Sequence, residues 1–258
     1  LLERGADPND EETPYHVAET RNNDVLRVLL ESNRLNADSM TTLLLRKADW
    51  HDLEGMRLLL EKGADPNQLT RWLYSALHQS VRRDNSMQMI ELLVEHGADP
   101  SLPNQSDGRS ATAIAARRGR RPALALFQHR GAAPLAGVDA LIAACALNER
   151  GTIQALMAEH PDLRAQLIEQ GGTLLAEFAG NGNAEGVRHL LDCGISPSAL
   201  YHEGDGYFGI ATDSTAHHVA AWRAWPAVVR ELIVRGTPVN TADGRGRTAQ
   251  QLAIKACV

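Results

Sequence analysis

A chain of 258 residues that is 43% hydrophobic but only 4% aromatic can bury a long core, filled by Leu and Ala in thin layers rather than gathered into one aromatic-rich centre. Its formal net charge of −6, from 26 basic and 32 acidic side chains, argues against a general polyanion binder. Its longest apolar run, Ala140 to Leu147, falls far short of the roughly 20 residues a membrane helix needs. Cys145, Cys193 and Cys257 lie in no metal-ligand spacing and read as free thiols of a reducing, cytoplasmic compartment, although a targeting signal ahead of Leu1 would be out of view.

The chain opens on the end of a helix and its turn, Leu1 to Asn9, which leads us to expect a further repeat or capping segment before Leu1. The clearest unit runs from Thr42 to Asn67. Thr42 is placed to cap a short apolar helix over Leu43 to Ala48, and His51 and Asp52 break the chain. Leu53, Met56, Leu59 and Leu60 then mark the buried face of a second helix, which Gly63 ends before the turn Ala64-Asp65-Pro66-Asn67. Sliding this template along the chain finds capping residue types at Thr13, Thr42, Ser75, Ser110, Asp139, Thr173, Thr215 and Thr248, 29 to 42 residues apart. A period in the thirties built of two helices and a turn is the mark of stacked repeats.

The motif residues resemble those of ankyrin-repeat proteins. Thr13-Pro14-Tyr15-His16-Val17-Ala18, the Gly-Ala-Asp-Pro turns at Gly5, Gly63 and Gly97, and weaker turns at Gly131, Gly194 and Gly236 carry the likeness. The implied fold is all-α, an ankyrin-repeat α-solenoid of stacked helix-turn-helix units with short β-hairpin fingers and about seven full repeats plus partial terminal ones. It reads as a single domain, 1–258. Residues 1–12 end a preceding repeat, units start near 13, 42, 75, 110, 139, 173 and 215, and residues 243–258 form a polar C-terminal cap. The apolar column Leu29, Leu59, Leu93, Phe127, Leu156, Leu190 and Leu232 is the expected core, lined by small inner-helix residues such as Ala18, Ala48, Ala115, Ala144, Ala179 and Ala220. The resemblance also implies that His16, His78 and His218 hydrogen-bond between neighbouring repeats.

Two units depart from the template. In the fifth, Asp139 to Asp162, His160-Pro161-Asp162 replaces the glycine turn and the finger at Ala132 to Val138 is short, which predicts a local change in curvature. The 42-residue interval ending at Thr215 holds a long finger, Ser198 to Ser214, with Tyr201, Tyr207 and Phe208 as exposed candidates for contact.

No GxSxG, HExxH, GxGxxG or P-loop pattern occurs, so no catalytic residue is assigned and neither cofactor nor metal is expected. His202, Asp205, Asp213, His217 and His218 could be drawn as a metal site, but His218 falls on the structural histidine position and His217 on a buried Leu position. What remains is recognition by the groove positions at the ends of the inner helices. Trp50, Arg82, Arg83, Arg117, Arg118, Trp222 and Arg223 are the candidates, joined by Tyr201, Tyr207 and Phe208 of the long finger; Arg21 also falls on such a position.

The paired arginines predict a partner protein with an acidic surface patch, bound by a monomer, with no nucleic acid and no membrane involved. The function read from this is a non-enzymatic protein-binding scaffold. An inhibitor or immunity protein of a bacterial toxin fits by analogy of fold, as does a bacterial effector that engages a host protein. The alternative is a substrate-recruiting module of a larger enzyme or regulatory protein whose other domain lies upstream.

Overall fold

A computed structural model describes residues 1–20 and 22–256; Arg21 and Cys257 lie outside the described residues. Its contacts group into two compact units, Leu1–Ile114 with Leu126–Ala133, and Ala115–Ala125 with Pro134–Val258.

The first unit is a series of helix pairs: α1 (Glu12–Val17) with α2 (Asp24–Glu31), α3 (Ala37–Asp49) with α4 (Leu53–Glu61), and α5 (Ala76–Arg82) with α6 (Met87–Glu95). The inner helices α1, α3 and α5 pack side by side, and the outer helices α2, α4 and α6 do the same. Leu29, Leu59 and Leu93 are buried on the outer helices, and Ala18 and Ala48 on the inner ones keep the layers close. Gly63 and Gly97, both at φ 88°, end α4 and α6 in the left-handed conformation that a side chain would strain, as the turn sequences require.

α7 (Ala111–Arg117) and α8 (Arg121–His129) contribute to both units. The second unit continues with α9 (Gly137–Leu147), α10 (Arg150–Glu159), α11 (Asp162–Glu169), α12 (Gly171–Gly180) and α13 (Ala184–Asp192). It then forms an antiparallel pair, β1 (Leu200–Tyr201) with β2 (Ser214–Thr215), and ends with α14 (Ala216–Trp222), α15 (Pro226–Val234) and α16 (Ala249–Ala256). Phe127, Leu190 and Leu232 are buried as the column predicts. Leu156 is the exception and is only half-buried. His160-Pro161 leads into the additional helix α11 instead of a glycine turn, and Ile153 is the buried residue of α10.

Four of the eight predicted caps hold. Ser75 and Thr215 each accept from the histidine three residues on, Ser110 Oγ accepts from the Ala113 N–H, and Thr248 exchanges hydrogen bonds with Gln251. Thr13, Thr42, Asp139 and Thr173 lie inside their helices. The helix expected over Leu43 to Ala48 with Thr42 as its cap starts at Ala37, capped by Asn36 Oδ1 on the Ser39 N–H at 2.8 Å. The fingers are mostly tight turns: among the described residues the only named strands are β1 and β2, and the other pairings are isolated bridges such as Pro103 with Ser110.

Candidate functional site

In the first unit the finger that links Asn67 to Ser75 is built on a loop closed by two backbone hydrogen bonds, Thr70 N–H to the Tyr74 carbonyl at 3.0 Å and Leu73 N–H to the Thr70 carbonyl at 2.8 Å. Closing so short a loop puts Leu73 at φ 70°, a left-handed conformation that is costly for a bulky side chain, and leaves that side chain exposed. Behind the finger lies a hollow of about 420 Å³ lined by three aromatic and four arginine side chains. Each ring carries a guanidinium: Arg46 lies 4.0 Å over Tyr15, Arg71 4.8 Å over Trp72, and Arg82 4.2 Å over Tyr74. Asp49 holds the floor, with Arg46 at 2.8 Å and Arg83 at 2.8 Å, and Gln79 Nε2 donates to it as well.

Of the three residues predicted in this unit, Arg82 and Arg83 therefore share one hollow, while Trp50 is exposed and takes no part in its lining. Sequence reading missed Tyr15, Arg46, Arg71, Trp72 and Tyr74. Their signal was present in Arg71-Trp72-Leu73-Tyr74, just ahead of the correctly placed cap Ser75, but that stretch lies outside the inner-helix ends and the long finger, where the template expects contact residues.

In the second unit the predicted arginines are engaged. Arg117 Nε lies 2.7 Å from Asp139 in an ion pair without hydrogen-bond alignment, and its Nη1 donates to Gln170 at 2.6 Å. Arg118 pairs with Glu177 at 2.9 Å. The expected positive patch is thus neutralised in large part by partners from distant stretches of sequence.

The long finger folds back on its base. Phe208 lies under two guanidiniums, 5.3 Å from Arg118 and 4.7 Å from Arg223. Trp222 Nε1 donates to the Phe208 carbonyl at 2.8 Å, and Asp205 Oδ1 accepts from the Tyr207 and Phe208 amides. Tyr201 is not exposed as expected. It is buried against Ala176 and Val219, because the period-two alternation of β1 turns it inward, and that burial pushes its hydroxyl pKa up. Tyr207 remains outside, 42% exposed, with its ring edge-on to Phe208 at 4.9 Å. The finger thus brings Arg118, Phe208, Trp222 and Arg223 together and leaves Tyr207 projecting.

The histidines divide. His78 Nδ1 accepts from the Ser75 N–H at 3.2 Å, which leaves Nε2 to donate to the Leu102 carbonyl at 2.9 Å. His218 repeats this with Thr215 at 3.1 Å and the Thr241 carbonyl at 2.9 Å. Both do what the motif implies. His16 does not: its ring is exposed and lies between Glu12 at 3.1 Å and Glu19 at 3.2 Å, which together raise its pKa, Glu19 chiefly. Among the described residues no group of His, Cys, Asp or Glu is arranged to hold a metal ion, and no helix is long and apolar enough to cross a membrane.

Residues 51–136 match a family model described as ankyrin repeats, in 3 copies. Over those residues the chain carries ankyrin repeats. Ankyrin repeats generally serve as protein–protein interaction modules. Among curated proteins, the chain is 29% identical over 114 residues to human transient receptor potential cation channel subfamily A member 1, a match that takes in 41% of the chain and 10% of the channel subunit. The chain therefore spans about a tenth of that relative's length. Among solved structures it is similar to the human ASB11 ankyrin repeat domain, with 21% identity, 81% of this chain and 90% of that one covered, and a TM-score of 0.38. It is also similar to the ankyrin repeat domain of Bcl-3, a member of the IkappaB family, with 21% identity, 83% and 96% covered, and a TM-score of 0.37.

Proposed function

We propose that this chain is a non-enzymatic scaffold that holds a partner protein, and that the long finger of the second unit is one of its contacts. The observation that carries the reading is the way the finger is built. Its base is fixed by β1–β2 pairing, by Phe208 under Arg118 and Arg223, and by Trp222 Nε1 on the Phe208 carbonyl, yet its tip presents Tyr207 to solvent. An aromatic side chain held out on a rigid base loses little conformational entropy on binding, and Tyr, Trp and Arg dominate binding energetics at interfaces. Arg82, Arg83, Arg117 and Arg118 favour an acidic patch on the partner, with the internal pairing of Arg83, Arg117 and Arg118 limiting how far that charge steers association. The buried thiols of Cys145 and Cys193 suit a reducing, cytoplasmic compartment, and we take the binding form to be a monomer.

The test is capture of the partner with the intact chain, followed by affinity measurement on purified components. Tyr207→Ala with Phe208→Ala should raise the dissociation rate about tenfold or more while leaving the helical spectrum intact. Unchanged affinity in that folded variant would remove the finger from the interface.

A further inference from the structure

The hollow of the first unit is built for a ligand that the general scaffold reading does not specify. Four guanidiniums, of Arg46, Arg71, Arg82 and Arg83, meet there. Among the described residues the carboxylates seen to pair with them are three: Asp49, Glu19 on Arg46 at 3.1 Å, and Glu11 on Arg71 at 2.6 Å. One positive charge is in excess, and the geometry shows where it stands. Arg82 makes no carboxylate pair among the described residues; its face rests on Tyr74 and one N–H donates to Gln79 Oε1 at 3.0 Å. Arg46 Nε is buried with no acceptor. A guanidinium whose face is covered by a ring keeps its in-plane N–H donors, and a planar carboxylate is the anion that matches them.

The rim adds a second feature. Leu73 is held outward at φ 70°, a conformation that costs about 1 kcal/mol for a side-chain-bearing residue. Leu73 and Trp72 both line the hollow and add apolar surface beside its charged side chains.

We propose that this hollow binds an extended acidic segment of a partner protein, one carboxylate side chain entering against Arg82, and an adjacent apolar side chain resting on Leu73 and Trp72. This rests on the reading of the chain as a protein-binding scaffold. A polyphosphate backbone is disfavoured. Glu11, Glu19 and Asp49 sit among the arginines, so the excess is a single charge, which suits one carboxylate and repels a run of phosphates.

The test uses the intact chain and a short fluorescein-labelled peptide that alternates Glu with Leu and Phe, read by fluorescence anisotropy at low salt. Replacing each Glu by Gln in the peptide should weaken binding about tenfold or more, and so should Arg82→Gln in the protein. Leu73→Gly separates recognition from folding. Glycine relieves the left-handed backbone, so thermal stability should hold or rise while peptide affinity falls several-fold. Tyr207→Ala, in the other unit, should leave peptide binding untouched, so this site and the long finger fail or stand separately. No binding of the acidic peptide at millimolar concentration, equal affinity for the Glu and Gln peptides, unchanged affinity in Leu73→Gly, or tighter binding of an oligothymidylate of equal charge would each overturn the proposal.

Discussion

Lys47 has no solvent exposure, and its ammonium is held by Asp52 at 2.7 Å and the Thr20 carbonyl at 3.1 Å. Asp52 in turn accepts from Asn23 Nδ2 at 3.0 Å and from the Gly55 N–H at 2.9 Å, so one carboxylate pairs the buried lysine and caps α4. Removing it strands a buried cation, and Asp52→Ala should cost on the order of 3 to 5 kcal/mol in urea unfolding, while Lys47→Met with Asp52→Leu should recover much of the loss. Burial alone would raise the Asp52 pKa, but the hydrogen bonds from Lys47 and Gly55 and the lysine's charge outweigh it and hold the pKa below 3.8. Its contribution is therefore complete above pH 3.8 and is lost as the pH falls through the depressed value. His78, with its pKa pushed below 6.5 chiefly by burial, acts at higher pH. Between 6.5 and its folded value the unfolded chain binds the extra proton, so stability should begin to fall as the pH drops below 6.5, and His78→Gln should flatten that slope in urea titrations. Deep in the core of the first unit, Leu59→Ala should cost on the order of 2 to 5 kcal/mol; a loss below about 0.5 kcal/mol would mean the core column is out of register.

Among the elements, α12 and the finger strand β1 are fitted with no spare room. A Cβ on Gly172 would stand 1.9 Å from the Leu200 carbonyl oxygen, a backbone atom that can yield only if the strand moves. Gly172→Ala should accordingly cost about 1 to 3 kcal/mol, and it should speed amide exchange at Tyr201 and Phe208 more than in α13. Equal exchange in finger and helix would show that β1 does not depend on this approach. The same close fit explains a departure that the repeat template did not anticipate. Phe178 of α12 reaches Gly119, where a Cβ would meet its ring at 2.6 Å, and Asn183 Nδ2 donates to both the Gly119 and Ala146 carbonyls at 2.9 Å. The residues after α7 are thus joined directly to α12 and α13, which is why Arg118 finds Glu177, 59 positions away, instead of facing solvent.

At the scale of the whole molecule, repeat architecture makes stability a sum over neighbours. Removing residues 215–258 takes away α14, α15 and α16, and uncovers the faces of α12 and α13 that pack on α14 and α15. We expect the shortened chain to keep a helical circular dichroism spectrum and to unfold at lower urea; complete loss of helical signal would contradict additive repeats. Apolar surface is already present at that end in the intact chain, where Trp225, Val229, Ile233, Val239 and Ala253 line a groove of about 790 Å³ along α15 and α16.

Sequence alone determined the repeat, the outer-helix core column apart from Leu156, the small inner-helix residues and the glycine turns, because each follows from local spacing: a helix period of 3.6, a left-handed residue at its end, and one unit repeated. The family resemblance carried the inter-repeat hydrogen bonds of His78 and His218, but not the one it implied for His16. Sequence misplaced the start of α3, because Thr42 and Asn36 are both residue types that cap and only packing chooses between them. It named Arg82, Arg83, Arg117, Arg118, Trp222 and Arg223 but could not tell which charges remain available. Asp49, Asp139 and Glu177, which pair with Arg83, Arg117 and Arg118, stand 22 to 59 positions away along the chain. Tyr201 turned inward, and Tyr15, Arg46, Trp72 and Tyr74 met in one hollow, for the same reason: burial and ion pairing are set by what the fold places opposite a side chain, and periodicity along the chain carries no record of that.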